Sequence, residues 1–272
     1  MATTYPPDRH LLRDLRLSFE HQAAGTSRAW MPVVPELAAA DGAARAGALA
    51  TLVDVIGGGL AAQTAQPDWI ATADLTLHLA GAVSSGSVEA RARVAHAGRT
   101  TVVIEVTLHD GEGAEIGLAT MSFARLPRRD SNPDISSSMT SSTSSMALPE
   151  SRLQGSLIDE LGIVVGAYGQ GTVEAPICEW SRNSLGAMQG GAVAIVIDAA
   201  AQDAAAGTRA GPVVVTDLQL TYLALARVGP IRTRVDVLDA RPGVVVARVE
   251  LADAGVGRVT TVGRVVLTTS LQ

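Results

Sequence analysis

With 272 residues, 47% of them hydrophobic, the chain has the material for the cores of two domains of ordinary size. A formal net charge of −6 and only 3% aromatic residues leave neither the basic excess nor the stacking platforms that nucleic-acid binding needs. All 21 Lys/Arg positions are arginine, which excludes Schiff-base chemistry and any phosphate loop built on a GK[ST] lysine.

The chain starts MATTYPPDRHLLRDLRLSFEHQ, with charges where a signal peptide needs an apolar core. Apolar runs such as Gly211 to Leu225 are broken by Asp217 and Gln219, so no stretch of about 20 uninterrupted apolar residues spans a bilayer. Cys178 stands alone and has no internal disulfide partner. The expectation is a cytoplasmic protein.

The first predicted helix covers Gly47 to Gln63, rich in Ala, Leu, Ile and Val with few breakers. Beyond it, Val88, Ala90, Ala92 and Val94 alternate with Glu89, Arg91 and Arg93, the period of a half-buried strand. Turn signals fall at Ala97-Gly98 and Asp110-Gly111. From residue 127 to 150 the composition collapses to Ser-rich low complexity, read as a flexible linker. The pattern then begins again. A second helix is predicted over Gly190 to Ala206, followed by Ile231, Thr233, Val235 and Val237 alternating with Arg232, Arg234 and Asp236, and by turns at Arg241-Pro242-Gly243 and Gly255.

The repeat is nearly in register. Asp54 answers Asp198 at an offset of 144, Asp74 answers Asp217 at 143, and Asp110 answers Asp253 at 143. Two domains follow, 12–126 and 151–272, joined by the linker. A helix apolar on nearly every side must be buried on nearly every side, and an antiparallel sheet wrapped around one long central helix meets that demand. The predicted fold class is therefore α+β, a tandem double hotdog.

The stretch NSLGAMQGGAVAIVIDAAA, Asn183 to Ala201, resembles the signature of the phenylacetate-pathway (PaaI-like) hotdog acyl-CoA thioesterases, in which Asn, a His-Gly-Gly turn and a helical Asp follow at this spacing. The resemblance implies that Asn183 orients the thioester, that the Gly190 amide holds its carbonyl oxygen, and that Asp198 occupies the carboxylate position. Gln189 stands where the family has His. In the first copy the corresponding residues are Arg45, Ala46 and Asp54, and no asparagine occurs in that half. A Ser or Thr position beside the carboxylate corresponds to Thr72 in the first copy and Val215 in the second.

Gly190 and Asp198 lie roughly 12 Å apart along one helix at about 1.5 Å per residue, too far to grip one carbonyl. The amide must meet a carboxylate from the other copy, as the family's sites between paired hotdogs also imply. One composite site then joins Asn183, Gln189 and Gly190 to Asp54 and Thr72. The other joins Arg45 and Ala46 to Asp198 and Val215, and reads as degenerate. At the first, a helix N-terminal amide stabilises the developing oxyanion, and Asp54 acts either as general base or as nucleophile.

Each of these residues also has a plainer role open to it. Asn183 can simply turn the chain before a helix, and either Asp can be a structural residue on a largely apolar helix. Gly57-Gly58-Gly59 lies inside the first helix and reads as close packing rather than a nucleotide loop. The five histidines, all in the first half, lack ligand spacing, and no G-x-S-x-G elbow occurs. Neither metal nor cofactor is expected. The expected partner is an acyl-CoA thioester, with arginines such as Arg182 or Arg227 as candidates for phosphate contacts, in a homodimer of double hotdogs. The expected activity is hydrolysis to free acid and CoA. The alternative is a non-catalytic acyl-CoA or acyl-chain binding protein that keeps the pocket.

Overall fold

The computed structural model describes residues 5–21, 25–129, 143–148 and 150–270. The N-terminal half begins with a one-turn helix α1 (Leu11–Asp14), strands β1 (Ser18–His21) and β2 (Thr26–Pro32), and the long helix α2 (Ala46–Ala65). It continues through β3 (Trp69–Leu79), β4 (Ser87–Ala97), β5 (Thr101–His109) and β6 (Glu115–Leu126). After β7 (Thr143–Ser145) the same order returns: α3 (Leu157–Glu160), β8 (Val164–Val165), β9 (Val173–Ala175), α4 (Gly190–Ala206), β10 (Val214–Tyr222), β11 (Ile231–Arg241), β12 (Val244–Asp253) and β13 (Arg258–Thr268).

Among the described residues the thirteen strands form one antiparallel sheet, ordered β7-β1-β2-β4-β5-β6-β3-β10-β13-β12-β11-β9-β8. The two halves meet where β3 pairs with β10, Leu75 opposite Leu220 and Leu77 opposite Leu218. Exchanging each residue for its repeat counterpart returns the same two pairs, so a pseudo-twofold axis passes through the central pair Thr76–Gln219.

α2 and α4 pack on the sheet and against each other. Their crossing needs glycine. A Cβ on Gly47 would lie 2.6 Å from the Ile195 backbone, and one on Gly191 would lie 2.3 Å from the Thr51 hydroxyl. These two contacts run in opposite order along the helices, so the helices are antiparallel and each N-terminus faces the middle of the other. By length and composition α2 is apolar enough to cross a membrane, with a mean hydropathy of 1.3, but 67% of its most apolar stretch is buried inside the fold. Asp54 and Gln63 interrupt the run, so its alanine, leucine, valine and isoleucine raise the average without making a continuous apolar segment.

Three details depart from the sequence reading. Of the segment 127–150 read as a linker, 130–142 and 149 lie outside the described residues, but Thr143–Ser145 pairs with β1 and extends the sheet. In β11 the alternation stops early, because a register shift between Val237 and Asp239 leaves Val237 41% and Leu238 65% exposed. Within the run Gly57-Gly58-Gly59 of α2, only Gly57 is tightly packed, 2.6 Å from Met121 by the same measure, while Gly59 faces open space.

Candidate active site at the helix crossing

The antiparallel crossing sets each helix N-terminus beside the carboxylate of the other half. At the start of α4, Gln189 is the N-cap, and both ends of its amide are engaged. Its Oε1 accepts from the Ala192 N–H at 3.0 Å, and its Nε2 donates to Asp54 Oδ2 at 2.7 Å. The cap therefore fixes the rotamer that aims the amide at the carboxylate. A Cβ on Gly190 would lie 2.8 Å from Asp54 Oδ2, so glycine is what lets the acid sit against the helix end. The Gly191 N–H hydrogen-bonds to the same carboxylate.

That leaves one amide of the first turn. Ala192 and Val193 donate to Gln189 and Gly191 to Asp54, whereas the Gly190 N–H has no partner among the described residues. Tyr222 from β10 donates its hydroxyl to the Gly190 carbonyl at 3.1 Å. Since that carbonyl and the Gly191 N–H belong to one peptide plane, Tyr222 orients the amide that faces Asp54.

Burial pushes the Asp54 carboxyl up to about 7, with the Gly191 N–H pulling the other way. Asp54 nevertheless keeps an edge accessible to solvent. Its charge reaches two phenols. Tyr222 is held well above the ordinary tyrosine range, first by burial and then by the negative charge of Asp54, and Tyr5, though 38% exposed, is raised in the same direction by partial desolvation and by Asp54. Tyr5 arrives on the N-terminal segment, which is fastened to the second half. The buried His10 lies 2.7 Å from the Arg182 carbonyl through Nε2 while its Nδ1 accepts from Leu12, and Trp180 donates to Asp14 at 2.7 Å. The Tyr5 ring rests edge-on against His10, centroids 5.1 Å apart.

Asp54, Gln189 and Gly190 are thus in mutual contact. Asn183 and Thr72 stand differently. Asn183 Oδ1 accepts from Leu185 and Ala187 at 2.9 and 3.1 Å, closing its own turn, while its NH2 has no partner among the described residues. Thr72 lies on β3 beside a register shift between Thr72 and Asp74, with no hydrogen bond to Asp54 among the described residues. Arg182 and Arg227 are exposed beside this helix end, since Arg182 pairs with Met188 and Met188 donates to the Ala226 carbonyl.

The other crossing holds Arg45, Ala46, Asp198 and Val215, which line one cavity of about 20 Å³. Asp198 is 2% exposed and accepts from the Gly47 N–H at 2.8 Å. Arg45 caps α2 without a side-chain bond to it, its Nη1 lying 3.8 Å from Asp198.

Sequence reasoning missed both tyrosines. Tyr222 had a signal, because the repeat sets it opposite Leu79 at the end of the paired strands. Tyr5 had none, lying before the repeat begins. The double duty of Gln189 was also hidden, since capping and substitution for histidine are separate uses of one side chain.

Residues 42–116 match the Thioesterase superfamily. No curated protein matches the chain. Among solved structures, an acyl-ACP thioesterase from Bacteroides thetaiotaomicron is similar with a TM-score of 0.60 at 13% identity, covering 89% of this chain and 97% of that one. A provisionally assigned thioesterase II from Thermobifida fusca gives 0.60 at 17%, covering 89% and 92%. A provisionally assigned thioesterase from Novosphingobium aromaticivorans gives 0.57 at 16%, covering 93% and 98%. The chain therefore has the hotdog thioesterase fold, a large antiparallel sheet with few helices, and its match to the Thioesterase superfamily supports hydrolysis of an acyl thioester.

Proposed function

We propose that the protein is a tandem double hotdog of the PaaI-like type that hydrolyses acyl-CoA to free acid and CoA at the Asp54–Gln189–Gly190 crossing. One observation carries the reading: a carboxylate raised to about 7 sits beside a helix N-terminal amide with no partner of its own. The thioester oxygen takes the Gly190 N–H, where the helix dipole stabilises the charge that develops on it. Asp54 removes a proton from water as the water oxygen bonds to the carbonyl carbon. Collapse of the tetrahedral intermediate breaks the C–S bond, and the proton on Asp54 passes to the departing thiolate.

A carboxyl raised to about 7 suits a general base at neutral pH better than it suits a nucleophile. Gln189 holds Asp54 in place and Tyr222 holds the peptide that faces it. The Asn183 NH2 remains to donate to the substrate, and Arg182 and Arg227 to meet the phosphates of CoA. Two such chains form the homodimer expected from the sequence.

The test is thiol release from short, long and aromatic acyl-CoAs by the purified chain, with Asp54→Asn as the control. Turnover lost in that variant supports the reading. Acyl-CoA binding without thiol release would instead favour a non-catalytic acyl-binding protein. A single turnover in 18O-water distinguishes the routes, because label in the Asp54 carboxylate appears only through an anhydride.

A further inference from the structure

We infer that the second crossing is a carboxylate-binding site, taking the head group of a small aliphatic acid on Arg45 and the N-terminal amide of α2. The position of Arg45 is the pseudo-symmetric counterpart of Gln189. Where Gln189 uses both ends of its amide, Arg45 uses little of its guanidinium. It is only 9% exposed, and its Nε and Nη1 are buried without a hydrogen-bond partner. Among the described residues its ion-pair partner is Asp198, at 3.8 Å, beyond hydrogen-bond reach.

Buried polar groups in folded proteins have partners, and one without them marks a place for a water, an ion or a ligand. Most acceptors of the cavity are already engaged, the exception being Asp198 Oδ1, which stands 3.8 Å from Arg45 Nη1. Asp198 Oδ2 accepts from Gly47, Asp41 Oδ1 accepts from Ala43, and Asp41 Oδ2 accepts from Ser270. The remaining walls, including Leu79, Gly81, Ala82 and Val215, offer no side-chain acceptor. The donors are not used up, because the Ala46 N–H has no partner among the described residues. A free amide at the positive end of a 20-residue helix and a guanidinium whose Nε and Nη1 lack hydrogen-bond partners converge on one space, which suits a ligand that brings oxygen acceptors and negative charge.

Size and lining narrow the class. A cavity of about 20 Å³ is on the scale of one water molecule, enough for the polar end of a small acid and not for a phosphate ester. The apolar walls suit a short aliphatic tail, which leaves between Asp41 and Ala82, both exposed at the mouth. Asp198 disfavours a multiply charged anion.

The probe is sodium acetate, then propionate, titrated into the full chain at constant ionic strength against sodium chloride, read as thermal stabilisation and as line broadening of the acid's NMR signal. A saturable rise in Tm with the acids and not with chloride is expected. Asp54→Asn keeps it, Arg45→Gln loses it, and Ala46→Pro, which deletes the amide at a position where proline suits a helix, weakens affinity at least tenfold. No saturable difference between acid and chloride in the unaltered protein overturns the site, and so does an equal effect in Arg45→Gln. Loss in Asp54→Asn with retention in Arg45→Gln assigns the binding to the first crossing and overturns it equally. None of these outcomes depends on thioester hydrolysis.

Discussion

The two helix crossings share one backbone and differ in side chains. At each, a carboxylate from one half accepts the second amide of the other half's helix, from Gly191 or Gly47, and the first amide is left over. At the α4 end the cap is a neutral Gln189 that grips Asp54, a tyrosine steadies the peptide, and the acid keeps contact with solvent. At the α2 end the cap is Arg45, the tyrosine position is Leu79, and Asp198 is only 2% exposed. Duplication supplied two equivalent frames, and the chemistry depends on which side chains each frame received.

The largest expected effect is the loss on Asp54→Asn, which removes the base and leaves the fold. We expect kcat/KM to fall about 10³-fold, against less than about fivefold for Asp198→Asn. Thiol-release assays on both variants decide between one working crossing and two, and equal losses would break the comparison. Gly190→Ala comes next. Its methyl group would meet the Asp54 carboxylate at 2.8 Å, displacing either the acid or the helix end, for a loss of about 10²-fold. The counterpart Ala46 already carries that methyl, so Ala46→Gly is expected to gain nothing.

The pH dependence sharpens the comparison further. With Asp54 raised to about 7 and required as the anion, kcat/KM should rise about tenfold per pH unit below 7 and flatten above it. Stability moves the other way. The unfolded carboxyl titrates near 3.8 and the folded one near 7, so between those values the folded state holds the extra proton and stability falls as pH rises through the window. Asp54→Asn removes that fall. At pH 8 the variant should be the more stable by about 2 kcal/mol, after discounting for the solvent edge of Asp54, and near pH 4 the difference should vanish. Denaturant melts at the two values measure it.

Much of the fold was legible because the repeat doubled every signal. Both long helices fall within two residues of their predicted bounds, since Ala-rich segments without breakers compete poorly for any other structure. Alternation at Val88 to Val94 also predicted their inward face, as Val88 and Ala90 are fully buried. The short strands β1, β7 and β8 were not legible, because edge pairing of two to four residues leaves no period in a sequence. Spacing along one helix required the composite geometry, but could not show that Gln189 would be locked by its own capping bond or that Asn183 Oδ1 would be spent on its turn. Those facts reside in rotamers, which spacing does not encode. Arg45 read as decay of a motif for the same reason, and only its unpartnered nitrogens distinguish it from a simple loss.

The smallest expected effect tests whether Tyr222 belongs to the difference between the crossings. Tyr222→Phe removes one hydrogen bond to the Gly190 carbonyl and keeps the ring, at a stability cost of about 1 kcal/mol. If the hydroxyl orients the peptide whose N–H faces Asp54, the variant loses part of what holds the carboxylate down, and the activity midpoint near 7 should move up while kcat on the plateau falls about fivefold. A purely structural tyrosine would lower Tm and leave the midpoint unmoved. The reciprocal change, Leu79→Tyr, places a phenol at the second crossing, where Ala46 supplies the equivalent carbonyl. It should not create activity there, because Arg45 still occupies the cap and Asp198 is only 2% exposed.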